Sequence, residues 1–383
     1  MKILQINKFW HPKGGADTMA INTAKWLEQA GHEVARFGMK SEKNIDSKWN
    51  KYFIDEIDFG SADFSLSKAA HFIYSTQAKE KLKLLLKEFQ PDAVHLHNFY
   101  HHLTTSILPI LKSTGAKIIM TCHDYKIMCP NYKMLSHGEI CEQCRYHNYY
   151  KAALNKCTKN SLPASLLLST EAYFNWLGDR YKKNIDLLIA PSKFMQKKIK
   201  EWQVGIDSEF LLNAIDIKPL DQPAVKKDYL LYVGRLSEEK GIDLLEKVAL
   251  KMPEQKFYII GDGPYKINNN ISNLKYLGRK NQEEVQQYLA QAKALIVPSK
   301  WYEVNSLVIP EAHALGTWVI AANTGSIDVI NDGQNGWFFK MNNVNDLISK
   351  IKSLEIQKTS FQPFLHITAN EYINKLLTFY PRR

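Results

Sequence analysis

The 383-residue chain lacks any uninterrupted apolar run approaching the roughly 20 residues that a helix needs to cross a bilayer, so no membrane-spanning helix is expected. It also lacks the basic segment, longer apolar stretch and small-residue cleavage site of an export signal. It starts directly on a short strand-like run, "MKILQINKFW", and the expectation is a cytoplasmic protein. Cysteine is scarce and odd in number, with five residues, which argues against a disulfide framework and leaves reduced thiols or a metal site. No short-period repeat and no low-complexity tract is evident. Acidic side chains are in deficit, 39 Asp and Glu against 50 Lys and Arg, for a net charge of +11. The surplus lies in the first half: residues 1–212 carry 29 basic against 21 acidic side chains, residues 213–383 carry 21 against 18. A basic half suits nucleic acid, an anionic membrane surface or a phosphorylated substrate, or is a solvated lysine-rich face.

What is present is the composition of a soluble protein, 45% hydrophobic and 23% charged, in a chain longer than one core usually supports. Short β-branched runs alternate with amphipathic helical stretches, the pattern of βα units wound into parallel sheets. Strands are expected at "KILQI" (2–6), "EVARFG" (33–38), "DAVHLH" (92–97), "KIIMT" (117–121) and "DLLIA" (186–190). The series restarts with "YLLYVG" (229–234), "KFYIIG" (256–261), "ALIVP" (294–298) and "TWVIA" (317–321), with a helix over 282–291. The Pro-, Asp- and Lys-rich stretch 213–228 has no sustained period and reads as a linker. The expectation is therefore two parallel-sheet α/β domains, 1–212 and 213–364, facing across a cleft, with a last segment, 365–383, whose amphipathic helix packs back on the first domain. Open parallel sheets bind ligands beyond the carboxyl ends of their strands, so both substrates are expected in that groove.

In the second domain "YVGRLSEEKG" (232–241) places Arg235 and Lys240 in the loop between a strand and a helix. Two fixed cations suit a diphosphate, whose charge grows as a sugar–phosphate bond breaks; alone the string is also an ordinary surface loop. "WYEVNSLVIPEAHALG" (301–316) holds Glu303 in a loop and Glu311 in the following helix. Carboxylates accept bidentate hydrogen bonds from vicinal diols, and the N–H groups of Ser306 and Leu307 at the helix start suit phosphate oxygens. Paired acids at this spacing are also a common solvated helix face.

In the first domain Gly14 and Gly15 precede a helix starting near Asp17, a side-chain-free turn that permits close approach of a ligand to backbone, or simply a turn. "TCHDYKIMCPNY" (121–132) puts His123 and Asp124 at the carboxyl end of a buried strand, and "HLHNFYHHL" (95–103) does the same for His97 and Asn98. The histidines lie on two strand ends without a complete ligand set, so no catalytic metal is expected. Cys129, Cys141, Cys144 and Cys157 form a C-x11-C-x2-C-x12-C series; four thiolates at that spacing would close a tetrahedral structural zinc site, with reduced, partly buried thiols as the rival. Cys122 belongs to the strand and to the core.

Together "GRLSEEKG", "GDGP" (261–264), the paired acids and "EAHALGTWVIAANTGSIDVINDGQNGWFF" resemble the donor domain of the retaining glycosyltransferase family 4, of the GT-B fold, and the resemblance covers nearly the whole chain. It implies a nucleotide-diphosphate sugar donor, of UDP or GDP type, and a saccharide or lipid-linked acceptor, with no cofactor required for catalysis. Arg235 and Lys240 would grip the diphosphate together with Gly234 and the Gly14–Gly15 turn. Glu303 would bind sugar hydroxyls and Glu311 the ribose. Asn305, Ser306 and Leu307 would lie on the donor, Arg279 of "LGR" (277–279) beside the nucleobase, and His123 against the donor sugar near the reacting carbon, positioning it or supporting charge. His97, Asn98 and Asp124 fall on the acceptor side. Where the family often has "Glu-x-Phe-Gly", this chain reads Glu303, Val304, Asn305, Ser306, a departure in the local phosphate geometry that other members share. A cysteine-rich insertion like this one occurs in some relatives with the same "HDY…CPN" run.

The resemblance implies retention of configuration by front-face substitution, since no side chain is an obvious covalent nucleophile, and assembly of bacterial polysaccharide or lipopolysaccharide as the setting. Residues 151–200 carry 10 Lys or Arg and 3 acids around an apolar helix, "LPASLLLSTEAYFNWLGDRYKK" (162–183). That helix either touches anionic lipid as a peripheral membrane contact or packs into the first-domain core. A nucleotide-sugar epimerase or hydrolase on the same fold is the nearest rival. A basic, zinc-stabilised nucleic-acid-binding protein is the rival from another class; it leaves the paired strand–loop motifs unexplained, and no nucleic-acid partner is expected.

Overall fold

The computed structural model describes residues 1–59, 65–217, 224–325, 329–330, 332–356, 361–364 and 366–381. They form two compact units, one of residues 1–134, 142–213 and 369–383, the other of residues 135–141 and 214–368. The border falls at Asn213 and Ala214, at the start of the expected linker, of which 218–223 lie outside the described residues.

The first unit runs β1 (Lys2–Ile6), α1 (Gly15–Gln29), β2 (Glu33–Phe37), α2 (Leu66–Ile73), α3 (Thr76–Glu88), β3 (Ala93–Leu96), α4 (Leu108–Lys112) and β4 (Lys117–Thr121). Then comes a two-stranded hairpin, β5 (Leu135–Ser136) and β6 (Glu139–Ile140), which groups with the second unit. The first unit resumes with α5 (Tyr150–Leu154), α6 (Leu162–Leu177), β7 (Leu187–Ala190), α7 (Lys193–Glu201) and β8 (Ser208–Phe210). Its six strands pair in parallel in the order β2-β1-β3-β4-β7-β8. The central strands are near-continuous apolar runs, broken by the buried Gln5 and His95, because helices cover both faces: Ile3, Leu4, Val94, Leu96, Ile118, Ile119 and Leu188 have no exposed surface.

The second unit comprises β9 (Leu230–Val233), α8 (Ile242–Lys251), β10 (Phe257–Ile260), β11 (Leu274–Tyr276), α9 (Gln282–Gln291), β12 (Ala294–Val297), α10 (Val308–Ala314), β13 (Trp318–Ala322), β14 (Gly336–Phe339) and α11 (Val344–Ile356). Its sheet order is β11-β10-β9-β12-β13-β14, all parallel. Phe257, Ile259, Val248, Ile320 and Leu347 close its core. Asn281 and Glu284 form a capping box that starts α9. The chain then returns to the first unit as α12 (Ala369–Leu377), where Tyr372 sits edge-on to Trp26 of α1 at 5.9 Å.

Five strands went unread in the sequence: β8, β11 and β14, each an edge strand of three or four residues, and the two-residue hairpin strands β5 and β6. The expected strands also ran one residue past several real ends, at Gly38, His97, Gly234, Gly261 and Pro298. That surplus residue is in each case the first of the loop that follows.

Candidate active site

Each sheet has one point where neighbouring strands are followed by connections that leave in opposite directions, between β1 and β3 in the first and between β9 and β12 in the second. The backbone there splays beyond the strand carboxyl ends, which is where parallel sheets take ligands. The candidate residues gather at these two places, and each is described within its own unit.

In the first unit β1 ends at Ile6 and the chain crosses to α1 through Asn7 and Lys8. The Asn7 amide donates to Asp17 Oδ1 (3.0 Å) and to Phe9 O (2.7 Å), while its own Oδ1 accepts from the Asn98 N–H (3.1 Å), tying the β1 and β3 ends to the helix. Gly14 is extended and gives α1 no side-chain cap, so the first-turn N–H groups beside the exposed Gly14 and Gly15 remain available to an anion. Asp17 is buried, and burial raises its pKa against the pull of Asn7 and Lys8. Lys8 is half-buried; desolvation lowers its pKa, and Asp124 and Asp17 oppose that. Asn98 Oδ1 is buried without a partner, and Asp124, half-buried, accepts from the Lys126 N–H at 2.9 Å.

Behind His123 runs a buried relay whose proton positions follow from one amide. Gln5 Oε1 can only accept, so His97 Nε2 donates to it (2.8 Å). Neutral His97 then has a bare Nδ1, which accepts from His123 Nε2 at 2.9 Å, and His123 is left with its own Nδ1 as an acceptor. On the other side of Gln5, its Nε2 and the Tyr380 hydroxyl donate to His95 Nδ1 (3.4 and 3.1 Å), and His95 Nε2 donates to Thr121 Oγ1 (2.7 Å). Burial holds all three imidazoles neutral: His95 is pushed down to about 3, His123 to about 4, and His97 well below its ordinary value. A neutral His123 has an acceptor at Nδ1 and no positive charge to lend.

In the second unit the β9–α8 loop, the β10 end and the β12 end pack backbone to backbone. Gly241 is left-handed (φ 76°), and a Cβ there would lie 1.9 Å from Pro298 O. Gly261 (φ 147°) would place one 1.8 Å from Gly234 O. These approaches bring Lys240 to Glu303: Nζ donates to Oε1 at 2.7 Å, and the same oxygen accepts from Ser299 Oγ and from Trp301 Nε1 (3.0 Å). The Glu303 side chain is 5% exposed, yet its pKa is lowered, because Lys240 and these hydrogen bonds outweigh its desolvation. Arg235 is exposed, and its carbonyl accepts from Tyr232 Oη at 2.7 Å. Glu311, in α10, is half-buried, and burial alone pushes its pKa up to about 7. Leu307 precedes α10 without a side-chain cap, and the Ser306 and Leu307 carbonyls accept from Ile309 and Glu311.

Not every expectation gathers. Arg279 is exposed and meets Asp262 at 3.4 Å, away from burial. Among the described residues no group of three or more His, Cys, Asp or Glu side chains stands close enough to hold a metal ion, so the four-thiolate zinc site on Cys129, Cys141, Cys144 and Cys157 has no counterpart there. Cys141 belongs to the hairpin segment of the second unit, the other three to the first, and Cys129 Sγ donates to Asn131 Oδ1 at 3.1 Å. Cys122 is fully buried beyond β4. Of the "TGSIDVIND" part of the motif, residues 326–328 and 331 lie outside the described residues.

Gln5, Lys8, Asp17, Ser299 and Trp301 were not read as site residues. The signal for Lys8, Ser299 and Trp301 was their place just past a strand end, the same signal that found His123. Gln5 and Asp17 carried only the oddity of a polar residue in an apolar strand or helix face.

Two parallel six-stranded α/β sheets, each with polar chemistry collected beyond its strand carboxyl ends, make this a GT-B fold. A family model described as Glycosyltransferase Family 4 matches residues 13–218, and one described as Glycosyl transferases group 1 matches residues 216–364. The chain belongs to glycosyltransferase family 4. It is 31% identical over 180 residues to the sulfoquinovosyl transferase of Arabidopsis thaliana, a match covering 44% of this chain and 35% of that one. It is 32% identical over 196 residues to an uncharacterised glycosyltransferase of Methanocaldococcus jannaschii, covering 46% and 52%. These matches thus span about a third and about a half of those two relatives. A 42.6 kDa protein of a Klebsiella pneumoniae cps region is 22% identical over 350 residues, covering 85% and 86%. Among solved structures, the sucrose-phosphate synthase of Thermosynechococcus elongatus superposes with a TM-score of 0.68 at 15% identity over 99% of this chain and 95% of that one. HepE of Anabaena in complex with UDP-glucose does so at 0.60, with 16% identity over 99% of both.

Proposed function

We propose that the protein is a retaining glycosyltransferase that moves a sugar from a nucleotide-diphosphate sugar to an acceptor hydroxyl in the assembly of a bacterial polysaccharide or lipopolysaccharide. The observation that carries the reading is the Lys240–Glu303 pair at the strand-order reversal of the second sheet, with Arg235 exposed in the same β9–α8 connection as Lys240. Lys240 and Arg235 hold the diphosphate and stabilise the charge it gains as the glycosidic bond breaks. Glu303, ionised and fixed by three donors, accepts from sugar hydroxyls, and Glu311 accepts from the ribose diol. In the first unit the uncapped start of α1 suits the donor phosphates, and His123, an acceptor at Nδ1, orients a sugar hydroxyl near the reacting carbon. The acceptor oxygen attacks on the face the diphosphate leaves, its proton passing to a phosphate oxygen, so configuration is kept without a covalent enzyme intermediate.

The UDP-glucose in the HepE complex supports a UDP-type donor, and the cps-region relative supports the polysaccharide setting. Exposed Leu154, Leu162, Leu166 and Leu177, flanked by the lysines of 151–200, favour a peripheral contact with anionic lipid that would present a lipid-linked acceptor. The test is a panel of UDP- and GDP-sugars. One of them should raise the melting temperature, and a transfer product from that donor should show the donor's anomeric configuration by NMR. An epimerised donor or free sugar made without acceptor points to the rival reactions, and no stabilisation by any member of the panel rejects the reading.

A further inference from the structure

We propose that a cavity in the first unit, walled in part by the segment that follows His123 and Asp124, binds a neutral sugar ring of the acceptor. The inference rests on the transferase reading above and names a substrate subsite within it. The cavity has a volume of about 170 Å³ and is walled by the segment after β4, the second half of α6 and the turn after α7. All of its lining residues belong to the first unit.

Its walls are aromatic planes. His147 and Trp176 stack with centroids 4.6 Å apart and planes at 19°, and Tyr149 meets His147 edge-on at 5.7 Å, so the plates are held before any ligand arrives. Trp176 is 40% exposed, an aromatic face turned partly to solvent. A pyranose offers such a plate its apolar C–H face and keeps its hydroxyls at the rim.

The polar groups are arranged for that rim. Trp202 lines the cavity and is 8% exposed, yet its indole Nε1–H has no partner. That nitrogen is itself sealed from solvent, so a ligand oxygen reaches it only with a shift of the indole, which would relieve a costly unpaired donor. Asn175 spends its Oδ1 on the Thr105 hydroxyl (2.7 Å), which leaves its NH2 as a second donor in the wall. Charge is balanced: Lys126 is neutralised in the wall by Glu171 at 2.6 Å, and Asp179 and Lys182 bring one charge of each sign. An anion gains nothing in such a site, whereas an uncharged polyol finds both donors and acceptors.

Left-handed backbone also occurs here, at two positions that follow the ends of α6 and α7 and at two before α5. Tyr146, His147, Asp179 and Gln203 all line the cavity, and all four hold left-handed φ values of 58°, 62°, 49° and 52°. Non-glycine residues persist in that region where the surroundings over-determine them, which is common at ligand sites.

The test is 19F NMR of protein labelled with 5-fluorotryptophan, with the Trp176 and Trp202 signals assigned through Trp176→Phe and Trp202→Phe. The probes are methyl α-D-glucopyranoside, methyl α-D-galactopyranoside, methyl N-acetyl-α-D-glucosaminide and uridine, with UDP and GDP titrated into the same samples. One glycoside should move both signals saturably. Trp176→Ala should weaken it about tenfold and Trp176→Phe much less, while nucleotide binding stays unchanged. If no glycoside moves either signal at about 50 mM, well above a millimolar Kd, or if uridine alone does, the proposal is overturned. Nucleotide binding without a glycoside response rejects the cavity and keeps the transferase reading; a glycoside response without nucleotide binding does the reverse.

Discussion

Replacing Glu311 with Gln asks whether this carboxylate is kept for a ligand or for the fold. Burial lifts its pKa to about 7, against about 4.3 in an unfolded chain. Because the folded value is the higher one, the group's contribution to stability is fully present below about pH 4.3 and is lost as pH rises through about 7. A gap of about 2.7 units at about 1.4 kcal/mol each sets an upper bound of about 3.7 kcal/mol at alkaline pH. Partial exposure and the amide's own desolvation reduce this, so Glu311→Gln should gain about 2 kcal/mol at pH 8, or about 4–8 °C in melting temperature, and less than about 1 kcal/mol at pH 5. The same change replaces a charged acceptor of the ribose diol by an amide, and the loss of about 1.5–3 kcal/mol should weaken nucleotide binding about 10- to 100-fold. Wild-type affinity should itself decline as pH falls below 7. Urea unfolding at pH 5 and pH 8, with calorimetric titration of UDP and GDP, measures both. A variant that is less stable at pH 8 and binds nucleotide as before refutes the reasoning.

Other perturbations reach the remaining parts of the site. Lys240→Ala strands the Glu303 carboxylate in a buried position and should cost about 2–3 kcal/mol, with turnover falling more than donor affinity. Since Lys240 holds the Glu303 pKa low, the stability it confers is present above about pH 4.3 and is lost on acidification, so the wild type and the variant should converge toward pH 3; a constant difference speaks against the pairing. Gln5→Leu leaves His97 Nε2 without its acceptor, at about 1–3 kcal/mol, while His95 keeps Tyr380 and Thr121; it frees the His123 tautomer, which 15N shifts would report together with a loss of kcat. Gln5→Glu keeps the acceptor for His97 and should restore part of it, and an unchanged Nε2–H tautomer in Gln5→Leu would defeat the relay. Leu162→Asp with Leu166→Asp should abolish salt-sensitive sedimentation with phosphatidylglycerol vesicles; equal binding to neutral vesicles argues against a lipid contact.

The central strands were legible because a strand buried on both faces must be a near-continuous apolar run, and "KILQI" and "KIIMT" coincide with β1 and β4. Edge strands such as β11, "LKY", have one neighbour and two exposed side chains, so little in their composition marks them. Glu303 was read from its pairing with Glu311 in one motif, whereas strand-end logic picked out His97, His123 and Arg235, since their positions depend only on where a strand stops. It had no access to the tautomer of His123, which is decided by Gln5, 118 positions away in sequence (123 − 5). The cysteine spacing suggested ligands for the opposite reason: distance along a loop says little about where its backbone travels.

The route of the chain also limits how such an enzyme can be remodelled by recombination. The polypeptide leaves the first unit at Asn213 and re-enters it at Ala369, and Tyr372 and Tyr380 are wholly or almost wholly buried there, with the Tyr380 phenol on His95. A single genetic crossover that imported a new rear half would bring a foreign tail with it, and that tail would have to fit the front half's histidines. Shuffling within this lineage is therefore easier with two breakpoints than with one.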